Sequence, residues 1–162
     1  PVWTWAGQIR RTEKNIGMPD SLILESEENL CRDVHHWATE GSDLDVLMRS
    51  CVVHHRLTHI HPFENGNGRH ARLVGNLYLF YHGRPLPRWP SKNLVKMGDL
   101  RTRYIGALKA ADDHNYQPLL EYTRALLPEG FKTGEDPMGA STESPQEAPK
   151  SPGPQSTPGH KK

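Results

Sequence analysis

The sequence predicts an all-α fold, and two observations carry that reading. Apolar residues recur at three- and four-residue spacing in successive windows, and the breaks between windows hold the glycines, prolines and capping residues that stop and start helices. The first window runs from Asp20 to Gly41. There Ile23, Leu30, Cys31, Val34, Trp37 and Ala38 form one apolar face, which predicts a helix from about Ser26 with Gly41 as its stop. A second helix is expected from Ser42, because Ser42-x-x-Asp45 resembles a capping box. It turns Leu44, Leu47, Met48, Cys51 and Val52 inward and runs up to His61. A third opens near Gly68, carries Leu73, Val74, Leu77, Tyr78, Phe80 and Tyr81, and ends at Gly83 with Pro85 just beyond. A fourth is expected from about Ser91 to Ala111, with Leu100, Tyr104, Ile105 and Leu108 in one stripe. Pro118 then starts a last helix bearing Leu119, Leu120 and Leu127, before Pro128-Glu129-Gly130 breaks the pattern.

The chain of 162 residues has room for one domain with a real core, placed at residues 1–131. From Thr133 to Lys162 there is no Val, Ile, Leu, Phe, Tyr or Trp, and six of the 14 prolines fall there, so residues 132–162 are expected to be a disordered Pro/Ser/Gly-rich tail. A net charge of +1 from 20 basic and 19 acidic residues is too balanced for a dedicated nucleic-acid binder. No apolar run approaches the roughly 20 residues of a membrane span, and Cys31 and Cys51 with no visible signal peptide point to a reducing cytoplasm. The chain opens on Pro1 and the apolar run Val2-Trp3-Thr4-Trp5, which suggests that the natural protein extends upstream.

The chemistry concentrates in His61-Pro62-Phe63-Glu64-Asn65-Gly66-Asn67-Gly68-Arg69-His70-Ala71-Arg72, a loop that opens into a helix. Gly66, Asn67 and Gly68 stand at the helix start, where the unpaired first-turn N–H groups and the positive dipole end favour an anion. That makes a phosphate seat. Arg69 and Arg72 are three residues apart, a spacing that lets two guanidinium groups share a helix face and fork onto phosphate oxygens. His61 supplies an imidazole able to take a proton near neutral pH. Pro62 stiffens the loop and Phe63 anchors it, neither with a chemical role. A rival site is the histidine cluster, in which His55 and His59 have the i, i+4 spacing of a metal-ligating pair. The glutamate of a His-Glu-x-x-His motif is missing, and no third ligand follows at a recognisable spacing, so a metal hydrolase ranks behind the loop.

The loop resembles the signature of the Fic/Doc family, His-x-Phe-x-(Asp/Glu)-Gly-Asn-Gly-(Arg/Lys)-x-x-Arg, at every named position but one. The resemblance implies a Fic-type helical bundle in which His61 is the general base, Phe63 packs inside, Gly66, Asn67, Gly68 and Arg69 hold nucleotide phosphates, and Arg72 meets the terminal phosphate. It implies transfer of AMP from ATP to a hydroxyl side chain of a target protein, and a small β-hairpin flap at residues 7–17 that aligns the target. Within the family, His-Pro-Phe-x-Asn-Gly-Asn-Gly-Arg-His-Ala-Arg, together with Trp5-Ala6-Gly7, Lys14-Asn15-Ile16-Gly17 and Tyr104-Ile105-x-Ala107-Leu108, looks most like the mobile mystery protein B subgroup.

The departure is Asn65, which stands where the family usually has the carboxylate that binds Mg²⁺. An amide oxygen brings no negative charge, so Asn65 implies a weakened metal site, with Glu64 as a second-ranked substitute. Two alternatives follow: a nucleotide-binding protein with weak or lost transfer, and the reverse reaction or transfer of another phosphate-containing group on the same residues. The family's inhibitory string Ser/Thr-x-x-x-Glu-(Gly/Asn) is not reproduced, since Ser21-x-x-x-Glu25 is followed by Ser26. The subgroup resemblance instead implies a separate antitoxin-like inhibitory protein.

Overall fold

The computed structural model describes residues 6–90 and 98–131, and within them five α-helices account for the regular structure. They are α1 (Ile23–Thr39), α2 (Val46–Ile60), α3 (Asn67–Tyr81), α4 (Gly98–Asp112) and α5 (Gln117–Ala125), with short 3-10 turns at Asp20–Leu22 and Glu129–Phe131. The all-α expectation holds. The predicted tail at 132–162 and the first part of the predicted fourth helix, residues 91–97, lie outside the described residues.

Helix α2 is the axis of the fold because both of its faces are apolar. One presents Cys51 to Tyr104, Ala107 and Ala111 of α4 and to Leu119, Leu120 and Tyr122 of α5. The other presents Val53, Leu57 and Ile60 to Ile23 and Leu30 of α1 and Ala71 of α3. At about 1.5–3 kcal/mol for each fully buried large aliphatic or aromatic side chain, these two cores dominate the favourable side of folding. Helices α2 and α3 approach closely because small residues line the seam. A Cβ on Gly75 would already touch Ser50 and His54, and the Ser50 hydroxyl donates to the Gly75 carbonyl at 2.9 Å.

Several local expectations shift by a turn. α1 starts at Ile23 rather than Ser26, because the 3-10 turn at Asp20–Leu22 leads directly into it. Cys31 and Ala38 are exposed, so the buried stripe is narrower than the periodicity suggested. α2 is capped by Asp45, whose side chain accepts the Met48 N–H at 2.7 Å, while Ser42 instead bonds the Leu44 N–H one turn earlier. A carboxylate at this cap contributes typically about 1 kcal/mol. Leu44 is exposed and Val53, not Val52, faces the core. On α4 the inward stripe is Tyr104, Ala107 and Ala111, and Ile105 points outward.

Residues 7–17 form no strand, in contrast to the hairpin flap that the resemblance implied. Their backbone is used otherwise. The Arg10 N–H donates to the Pro62 carbonyl and the Met18 N–H to the His59 carbonyl, so the segment is laid against the loop and the end of α2 rather than paired with itself.

Candidate active site

Helix α2 delivers His61 as its C-cap, in the left-handed conformation at φ 55° and ψ 56°. A non-glycine residue at positive φ is uncommon, and the surroundings hold this one there. The His61 N–H donates to the Leu57 carbonyl at 3.1 Å. Its carbonyl accepts from Arg10 Nε at 2.7 Å. Its Nδ1 lies 3.3 Å from the Thr58 carbonyl, which can only accept, so the ring proton belongs on Nδ1 and Nε2 carries the lone pair. Burial lowers the His61 pKa, the Thr58 carbonyl opposes this, and the Arg10 and Lys14 cations lower it further. The imidazole is therefore neutral near pH 7 and fit to accept a proton.

Sequence reasoning missed the residues that hold His61 in place. Arg10 is 2 % exposed and also donates to the carbonyls of Thr12, at 2.7 Å, and Met18. An arginine followed by Arg11 and Thr12 has no sequence signal for burial; only the folded carbonyl cage explains it. Gly17, at φ +90°, backs directly onto the His61 side chain.

Beyond His61 the loop is braced from within. Pro62 is fully buried, whereas Phe63 is half-buried and meets the His70 ring edge-on at 4.9 Å between centroids. The Asn67 side chain spans the loop: its Oδ1 accepts the Phe63 N–H at 2.8 Å and its Nδ2 donates to the Phe63 carbonyl at 2.7 Å. Asn67 is buried, so its side chain is a brace and its backbone amide is what it offers to a ligand.

Gly66 is the N-cap of α3 at φ +83°, and its carbonyl accepts the N–H groups of Arg69 and His70. The first-turn amides of Asn67 and Gly68 have no intrahelical acceptor, the condition for an anion seat at a helix start. Arg69 folds back over Gly66, with its Nη2 3.4 Å from where a Cβ would stand. Both line a cavity of about 290 Å³ with Phe63, Asn65, His70 and Leu73. Arg72, one turn on, has its guanidinium 5.8 Å over the Trp89 ring, and Trp89 is in turn fixed by Asn76 at 2.9 Å.

The Asn65 Oδ1 accepts the Gly66 N–H at 2.6 Å. Glu64, the second-ranked metal ligand, is turned away. Its carboxylate pairs with Lys14 and accepts from Thr12 at 2.9 Å, and these two bonds hold its pKa below the usual range.

This helix–loop–helix unit matches a known family: the model described as the Fic/DOC family fits residues 6–79. The chain belongs to the Fic/DOC family. It is similar to protein adenylyltransferase fic-1 of Caenorhabditis elegans, at 32 % identity over 67 % of this chain and 26 % of the relative. It is also similar to protein adenylyltransferase Fic of Drosophila grimshawi, at 29 % identity over 72 % of this chain and 23 % of the relative. Among solved structures, a variant of Fic-1 from C. elegans superposes with a TM-score of 0.61 at 27 % identity, covering 75 % of this chain and 34 % of the other. The chain thus spans about a quarter of the length of the curated relatives it matches.

Proposed function

We propose that this Fic-family chain is a protein adenylyltransferase that moves AMP from ATP to a hydroxyl side chain of a target protein. The observation that supports it is the pairing of a proton-accepting His61 Nε2 with the open helix start at Gly66–Gly68, on one rigid loop. In this reading the target oxygen attacks the α-phosphorus while His61 takes its proton. The bond from the α-phosphorus to the bridging oxygen breaks, and pyrophosphate leaves. The base contributes about 10²- to 10⁴-fold, and positioned cations and amides supply the larger share.

The resemblance also implies Mg²⁺, and the donors here do not fit a protein-held ion. Asn65 offers one neutral oxygen already engaged by Gly66, and the Glu64 carboxylate is committed to Lys14 and Thr12. Phosphate charge then falls to the amides of Asn67 and Gly68 and to Arg69 and Arg72. The same observation favours a second reading, a nucleotide-binding protein with weak or lost transfer.

Labelled ATP incubated with the protein and cell lysate separates these readings. Transfer by the parent that His61→Ala abolishes supports the enzyme, and equal labelling by both proteins sinks it. Under the second reading the parent is silent, and Asn65→Asp, which restores a carboxylate, creates Mg²⁺-dependent transfer. The likeness to mobile mystery protein B adds a cytoplasmic setting and a separate inhibitory protein to the proposal; co-purification of a small helical partner tests the latter.

A further inference from the structure

The histidine pair that the sequence left without a third ligand acquires one in the fold. His55 and His59 lie one turn apart on α2, and Asp112, the last residue of α4, comes to both of them. Its Oδ1 lies 2.9 Å from His55 Nε2 and 3.3 Å from His59 Nδ1, and all three ligand atoms fall within 4.8 Å of one another. Both rings therefore aim at one carboxylate oxygen. In a tetrahedral site with bonds of about 2.0–2.1 Å, neighbouring ligand atoms stand roughly 3.3 Å apart, so the carboxylate oxygen is already near ligand spacing from each histidine, and an ion between them draws the two ring nitrogens together by side-chain rotation.

We propose that His55, His59 and Asp112 form a transition-metal site of the zinc type, which staples the C-terminal turn of α2 to the end of α4. Two imidazoles and one carboxylate suit Zn²⁺ and leave a fourth position for water. They are poor donors for Mg²⁺, which takes oxygen ligands.

A supporting partner is also in place. The Tyr116 hydroxyl lies 3.3 Å from His55 Nδ1, with its ring edge-on to the imidazole at 5.3 Å. When a metal takes Nε2, the ring proton sits on Nδ1 and is donated to that hydroxyl, the arrangement that orients ligating histidines. Burial lowers the His55 pKa, against the raising effect of Asp112, which keeps the ring neutral as a ligand must be. Access is open. His59 and Asp112 are exposed, and the trio faces a cavity of about 280 Å³ that His114 also lines.

The site lies two residues before His61 on the chain, so metal occupancy would stiffen the turn that presents the candidate base. The metal assignment stands on its own geometry, whatever reaction the neighbouring loop performs.

Titration of the full-length, chelator-treated protein with ZnCl₂ tests it by calorimetry, with Co²⁺ as an optical stand-in. One saturable event per chain, visible bands of tetrahedral Co²⁺ and a higher melting temperature with Zn²⁺ are expected. His59→Ala and Asp112→Asn, both at exposed positions, weaken binding at least about tenfold, and Tyr116→Phe weakens it about 10- to 100-fold. Circular dichroism confirms that the variants are folded. Absence of a saturable event overturns the proposal. So does an event undiminished in the His59→Ala/Asp112→Asn double variant, which would assign the zinc to other histidines.

Discussion

Gly17 has a backbone φ of +90°, and a Cβ built on it falls well inside 3.0 Å of the His61 Cβ, closer than real Cβ atoms come. Gly17→Ala therefore carries two costs. Left-handed backbone costs an L-residue about 1–2 kcal/mol, and overpacking a filled position adds typically about 1–3 kcal/mol. The atoms that must give way belong to the side chain of the candidate base, with Arg10 Nη2 also only 3.4 Å off. The expected relief is a displacement of His61 on the order of 1 Å, a scale at which misplacement costs about 10²-fold in rate. Gly41 provides the control: its φ is +89° and nothing lies within 4 Å of its added Cβ, so Gly41→Ala meets the backbone cost alone. Urea unfolding of the two variants should differ by about 1–3 kcal/mol, and the imidazole C–H resonances of His61 should move only in Gly17→Ala. Equal stability losses with unmoved His61 signals would refute the idea that Gly17 is what lets His61 sit where it does.

Two further outcomes follow from the buried polar groups. His54 is buried on α2, stacked on Tyr104 and bonded to its hydroxyl at 2.8 Å, and its pKa is lowered to about 3, first by burial and then by the Arg72 cation and His55. The unfolded chain takes up a proton below about 6.5 while the folded chain does not, so stability is full above that pH and falls progressively toward pH 3. The His54 share of the loss between pH 7 and pH 5 is on the order of 2 kcal/mol; denaturation curves at the two pH values check it, and His54→Gln should flatten the dependence. Asn67→Ala removes both bonds to the Phe63 backbone and leaves that N–H and carbonyl unpaired, at a cost of about 2–4 kcal/mol. Hydrogen exchange at the Phe63 amide should accelerate with it.

The helices were legible because burial imprints a period on the chain. α2 is the clearest case, where Leu47, Met48 and Cys51 pack inward as the spacing predicts, although its cap is Asp45 rather than Ser42. The same logic misplaced Cys31, Ile105 and Val52, because periodicity identifies an apolar face without saying how much of it a neighbour covers. α3 shows the limit: Leu73, Leu77, Phe80 and Tyr81 continue its apolar pattern yet lie exposed, and the buried positions are Asn67, Ala71, Gly75 and Leu79.

By itself the sequence determined the local chemistry of residues 61–72, since a glycine-bracketed helix start and a nearby imidazole follow from neighbours along the chain. Only the tertiary structure decided what holds that chemistry in place. Arg10 is 51 residues from the His61 carbonyl it bonds, and Asp112 is 57 residues from His55. Such pairings leave no periodic trace, because they come from how helices and loops dock rather than from the pitch of any one of them. The same holds for Gly17, whose neighbours along the chain say nothing of the His61 side chain packed against it.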